Sequence, residues 1–210
     1  MRRSVRLVAI GLVVGIPAFA GASTWDVDSA HSSAEFAVRH LMVSTVRGTL
    51  GKVTGTLNLD EQDITKSSVE ATVDATTIDT REPKRDGHLK SPDFFDVAKY
   101  PTITFKSKKV AVAADKKYQV TGDLTMHGVT KEVLLDVEGS PVGSKDPMGN
   151  TKLGGVAHTK LNRQDFGINW NKALDGGGVV VGDEVDVTID VELIKKSAAA
   201  AVDGGAMPAR

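Results

Sequence analysis

Along most of this chain apolar and polar residues change places at every step. Phe36, Val38 and His40 alternate with Glu35, Ala37 and Arg39, and Val53, Gly55, Leu57 and Leu59 alternate with Thr54, Thr56 and Asn58. The same period of two recurs from Val69 to Ile78, in Ile103 and Phe105, from Tyr118 to Met126, from Val129 to Val137 and from Val185 to Leu193. Successive side chains of a strand point to opposite faces, so the pattern predicts half-buried strands. His127-Gly128 predicts a tight hairpin turn between two of them. A further run, Thr151 to Leu161, follows the glycine-rich connection from Gly139 to Asn150, and Gly176 to Gly178 with Gly182-Asp183 frame the last strand. No internal repeat, linker or shift of composition divides residues 24–196. They are expected to form one all-β domain of about eight or more antiparallel strands, and closure into a barrel removes the edges that so many strands would expose. Gly55, Ala71, Ala75 and Gly122 on the expected inner face, with an aromatic content of only 5%, favour a hollow barrel with room for one slender ligand.

One stretch breaks the alternation, Arg85 to Pro101. Glu82-Pro83 opens a short helical insertion around residues 82–91, and Pro92 closes it by restricting Ser91. On that helix Arg85, His88 and Leu89 share a face, and Asp86 stands one turn before Lys90, the favourable order for an ion pair. Phe94 and Phe95 follow directly and require an apolar environment. A lid over the mouth of the barrel satisfies these demands.

The two ends of the chain are expected to lie outside the fold. Arg2, Arg3 and Arg6, the apolar run Leu7 to Ile16 and Ala18-Phe19-Ala20 form a secretory signal peptide over residues 1–20, too short for a stable membrane span. Export to the periplasm is therefore expected, with no stable membrane insertion. Residues 21–196 hold the barrel domain, and the alanine- and glycine-rich residues 197–210 form a disordered tail. Loss of the three leader arginines leaves 23 basic against 27 acidic residues, about −4 in net charge, which argues against a nucleic-acid partner. The chain has no cysteine, so disulfides, thiol nucleophiles and iron–sulfur clusters are excluded.

Candidate chemistry is sparse. His31, His40, His88, His127 and His158 show none of the close spacings of zinc sites, and no metal is expected. Arg85, Asp86, His88 and Asp93 could form an acid–base cluster, but charge-assisted hydrogen bonds fixing an irregular segment to the barrel rim explain the same residues. No Gly-x-Ser-x-Gly motif appears, and the glycines lack the strand-to-helix setting of a phosphate loop. The aromatic residues gather instead in or beside irregular segments, as in an apolar pocket.

Several blocks resemble the YceI-like family. They are Trp25-Asp26-Val27-Asp28 with His31-Ser32; Phe36-Ala37-Val38-Arg39-His40; Arg85-Asp86 through Phe94-Phe95-Asp96-Val97, with Tyr100-Pro101; Gly122-Asp123-Leu124-Thr125-Met126-His127-Gly128; Arg163-Gln164-Asp165-Phe166-Gly167; and Gly182-Asp183-Glu184-Val185. The resemblance implies an exported, lipocalin-like antiparallel barrel whose cavity holds a polyisoprenoid or related long-chain lipid such as an isoprenoid quinone, and it implies a homodimer. It places Phe94-Phe95 and the Asp165-Phe166-Gly167 loop near the cavity. On this basis Phe36, Val38, Phe94, Phe95, Ile103, Phe105, Leu124, Phe166 and Trp170 are the expected lining of cavity and mouth. Arg85, Asp86, His88 and Asp93 are the expected structural cluster of the rim. The expected function is a periplasmic carrier without catalysis and with no cofactor beyond the lipid. The alternative is an enzyme acting on an isoprenoid or lipid head group through Arg85, Asp86 and His88.

Overall fold

The alternating segments form ten strands, joined by one α-helix and short 3-10 turns, in a computed structural model that describes residues 21–196. The expected signal peptide and tail lie outside the described residues. Eight strands close a barrel: β2 (Ser33–His40), β3 (Ser44–Leu59), β4 (Ser68–Asp74), β5 (Thr102–Ala114), β6 (Lys117–Met126), β7 (Val129–Gly139), β9 (Thr151–Asn162) and β10 (Val181–Lys195). Each pairs antiparallel with its neighbours, and β9 returns to β10 along eleven residue pairs, from Glu184↔Asn162 to Ile194↔Lys152. The β7–β9 seam is much shorter, four pairs from Asp136↔His158 to Gly139↔Gly155. Of the two remaining strands, β1 (Ser23–Val27) bridges β10 and β3 across one end, and β8 (Ser144–Lys145) lies beside β9.

Three details depart from the simple alternation. The run Val69 to Ile78 is strand only to Asp74, whose carboxylate accepts from the amide and hydroxyl of Thr76 and turns Ala75–Thr77 into a 3-10 turn. Ala75 is therefore a core residue of that turn and not part of a strand wall. Gly182 and Asp183 lie inside β10, at a register shift against β2, and do not precede it. In β3 the inward parity changes at Gly51, which takes φ +137° where its pairing with β2 slips. A Cβ there would strike the carbonyl oxygen of Asp74, so only glycine fits this bulge. The hairpin at His127-Gly128 has φ of 51° and 76°, the two left-handed residues of a type I′ turn.

The two ends of the barrel are closed differently. At the β1 end Trp25, 2% exposed, packs on Leu59, Leu153 and Leu193. Burial of a side chain this large contributes about 3 kcal/mol. Above it Lys152 Nζ lies 2.9 Å from Asp28 Oδ2 and 2.6 Å from Glu192 Oε1, tying the end of β1 to β9 and β10. At the other end stands α1 (Pro83–Lys90). Pro83 occupies its first turn, and the Glu82 carboxylate accepts from the amides of Lys84 and Arg85. Asp86 does not pair with Lys90 as expected. It turns back to accept from the amide and hydroxyl of Thr80, a nearby donor pair that is buried and needs an acceptor.

The Lys152 ammonium, with His31 next, holds the Asp28 carboxyl well below the usual carboxylate range. A depressed folded-state value contributes stability above the unfolded value of about 4, and that contribution disappears as pH falls through the folded value. Asp28→Asn is accordingly expected to lower the melting temperature at neutral pH. In calorimetry across a pH series, the gap to wild type stays constant above about pH 5 and narrows steadily below about pH 4.

Candidate functional site

Two apolar cavities lie in series inside the barrel. The larger, about 270 Å³, fills the half towards β1; the smaller, about 210 Å³, fills the half under α1. Leu50, Met126, Leu161 and Val187 border both and form a waist between them. Alternation aims Val69, Ala71 and Val73 of β4, Val133, Leu135 and Val137 of β7, and Val187 to Leu193 of β10 into the larger space. Small residues keep it open: Ala71, Gly155 and Ala157 stand where a larger side chain would fill the space.

The smaller cavity has an aromatic and cationic ceiling. His88, Phe94 and Trp170 stack in mutual contact, with His88 edge-on to both rings at 4.9 Å and Phe94 to Trp170 at 5.3 Å. Such contacts contribute about 0.5–1.5 kcal/mol each beyond burial. His88 Nε2 lies 2.8 Å from Asp93 Oδ2, which fixes the ring between helix and loop. Arg39, His40, Arg85 and Arg163 also border this space.

Trp170 is placed by Arg163. This guanidinium is 5% exposed, yet its donors reach the carbonyls of Gly182 (2.9 Å), Ile168 (2.6 Å) and Trp170 (2.9 Å) and the Asp183 carboxylate at 3.1 Å. Burial pulls its pKa down while Asp183 opposes the shift, and arginine stays charged throughout. The charge is buried because the loop carbonyls of Ile168 and Trp170 and that of Gly182 at the register shift of β10 need donors, and one planar fork supplies several.

Of the nine expected lining residues, Ile103, Phe105 and Leu124 border the larger cavity, and Phe36, Val38, Phe94, Phe95 and Trp170 border the smaller. Phe166 borders neither. Its turn, Arg163–Phe166, packs beside β7, and the ring, 2% exposed, belongs to the core of Ala75, Ile78, Ile103 and Met126. The carbonyl of Phe166 lies 3.1 Å from His127 Nδ1, linking this turn to the β6–β7 hairpin. Arg85 donates to the hydroxyl and carbonyl of Thr80, and Asp86 accepts from the same residue, so both are engaged with the segment that enters the helix. Leu50, Leu161 and Val187, and the buried role of Arg163, are additions that sequence reasoning missed. Val187 stood in an alternating run and could have been chosen; Leu50 was hidden by the parity change at Gly51.

Among the described residues one group has metal-ligand geometry, Asp28, His31 and Glu192, whose ligand atoms lie within 4.8 Å of one another. The Lys152 ammonium already contacts both carboxylates, which supplies the positive charge that this acidic pair requires. The group lies at the β1 end, away from the aromatic ceiling.

A closed eight-stranded antiparallel barrel with one short helix and a hollow apolar interior is a lipocalin-like barrel. The YceI-like domain matches residues 25–193, and the chain belongs to that family. A UPF0312 protein of Vibrio parahaemolyticus is 36% identical over 200 residues, spanning 93% of this chain and 100% of the relative. BcnA of Burkholderia cenocepacia matches in structure with a TM-score of 0.69 at 23% identity, over 79% of this chain and 98% of that one. A polyisoprenoid binding domain from Saccharophagus degradans, implicated in plant cell wall breakdown, matches with a TM-score of 0.58 at 14% identity, over 82% and 98%. The last two likenesses are of fold.

Removing the guanidinium strands the carbonyls of Ile168, Trp170 and Gly182 at once, each unsatisfied group costing about 1–3 kcal/mol. Arg163→Met is expected to destabilise the protein by about 3 kcal/mol or more in urea unfolding and to shift Trp170 fluorescence in the native state. Arg163→Lys, a single point donor on a shorter stem, recovers only part of the loss.

Proposed function

We propose that this protein binds a polyisoprenoid or similar long-chain isoprenoid lipid in the barrel and carries it through the periplasm without chemical change. The observation that carries the reading is the pair of apolar cavities placed end to end along the barrel, an arrangement that suits an extended chain better than a compact ligand. Family membership and the polyisoprenoid-binding neighbour support the ligand class. Each methylene withdrawn from water contributes about 0.8 kcal/mol, so ten give roughly 8 kcal/mol before ordering costs, which corresponds to micromolar binding. No catalytic group is needed for that affinity. The polar residues around the ceiling have structural partners: Arg85 and Asp86 meet at Thr80, and His88 meets Asp93. This arrangement gives little support to head-group chemistry at that cluster.

Native mass spectrometry of the protein purified from its own periplasm, followed by organic extraction, tests the proposal. A stoichiometric prenyl or quinone-type lipid is expected. A protein that arrives empty and stays empty after incubation with such lipids overturns it. Ala157→Phe, which projects a ring into the larger cavity, is expected to weaken retention of a long prenyl chain about tenfold or more while the far-ultraviolet dichroism stays that of the barrel.

A further inference from the structure

The hairpin joining β2 to β3 is built against the ordinary rules of such turns. Leu41 and Met42 take φ of 51° and 61°, the left-handed pair that favours asparagine and glycine, and bulky side chains there carry a conformational cost of about 1–2 kcal/mol per residue. Burial offsets this only in part. Leu41 is 39% exposed, Met42 50% and the adjoining Val43 78%. Three consecutive apolar side chains thus present surface to water at the tip of a turn that polar residues would form more easily. The tip is held firmly all the same, by Arg39 donating to the Met42 carbonyl at 2.7 Å and by the Leu41 amide donating to Val180 at 2.8 Å. Its base, Arg39 and His40, borders the smaller cavity.

On the barrel wall and at the β1 end several lysines are matched with carboxylates, Lys106 with Glu70, Lys108 with Asp123 and Glu132, Lys117 with Glu138, Lys160 with Glu184 and Lys195 with Glu61, while Lys52, Lys109, Lys116, Lys131 and Lys145 are exposed there without such a partner among the described residues. At the helix end Arg39, Arg47, Arg81, Lys84 and Lys172 are exposed, and among the described residues none has a carboxylate within ion-pair distance. Nearby acids are mostly engaged otherwise: Asp79 accepts from the Arg81 amide, Glu82 caps α1 and Asp183 holds Arg163. Asp165, Asp175 and Glu35 are exposed there as well.

We propose that the helix end of the barrel docks on an anionic lipid bilayer, with Leu41, Met42 and Val43 entering the boundary between head groups and acyl chains and the unpaired cations meeting the lipid phosphates. An apolar tip ringed by cations is complementary to that interface in both respects. The inference does not rest on which molecule the cavity holds. It orients the smaller cavity towards the membrane and gives the strained turn a function.

Vesicle flotation tests it, using protein expressed from residue 21 onward, which retains every described element. Vesicles of phosphatidylglycerol and phosphatidylethanolamine are expected to carry the protein at low salt, and about 0.5 M sodium chloride or pure phosphatidylcholine vesicles to release it. Each cation near the surface is worth about a fivefold change in binding, so Arg47→Gln with Lys172→Gln weakens it about twentyfold while the hairpin stays intact. Met42→Asn with Val43→Ser, which suits the left-handed backbone, is expected to weaken it about tenfold or more at an unchanged melting temperature. Met148→Ser, an exposed methionine in the turn before β9, leaves flotation unaltered. Failure to float with anionic vesicles overturns the proposal, as does binding that neither double variant reduces. Sedimentation showing self-association that Met42→Asn abolishes, without vesicle binding, assigns the tip to a second copy instead. Lipid extraction on the same variants reads the cavity separately: an occupied protein that does not float defeats the docking inference alone.

Discussion

The constraint on which the structure depends is the closure of β9 on β10. A sheet with eight strands could leave two edges open to water, and its inner face would collapse to hide its valines and leucines. Pairing the last strand with its predecessor along eleven positions, while β10 also pairs with β2, satisfies the backbone on every side and fixes the circumference. The interior can then stay apolar without being filled. Small residues at Ala71, Gly155 and Ala157 keep it so, because the walls are held apart by hydrogen bonds rather than by packing across the middle.

With the wall fixed, the ends take different solutions. The β1 end is a plug of ordinary core, Trp25 among leucines, sealed by a lysine between two carboxylates. The helix end is assembled from irregular chain, and irregular chain has carbonyls and amides without strand partners. Arg163, Asp86 and Glu82 are each used for this purpose, and each is spent on backbone groups. The charged residues most suggestive of chemistry are thereby those most occupied in holding the ceiling together. Their hydrogen bonds set where His88, Phe94 and Trp170 meet.

How much of this was legible follows from which forces act locally. Period-two alternation is a local signal, and the barrel, its strands and the helix from Pro83 to Lys90 were readable from it. Glu82-Pro83 and Pro92 marked the helix because proline acts on its own neighbours. The fate of Asp86 was not readable: the choice between Lys90 and Thr80 depends on where the preceding segment folds back. Phe166 looked like cavity lining because an aromatic ring in a loop is ambiguous until the seam between β7 and β9 is known. Leu50 was lost to a single bulge, since one extra residue reverses inside and outside for everything on one side of it.

The waist formed by Leu50, Met126, Leu161 and Val187 divides the interior into two chambers. The long flexible chain proposed as ligand, if it spans both chambers, would leave by sliding along its own contour, segment after segment. Its escape would then resemble reptation through a short tube, with dwell time set by how much of the molecule lies beyond the neck. Met126, unbranched and polarisable, is the most compliant of the four side chains that border both chambers.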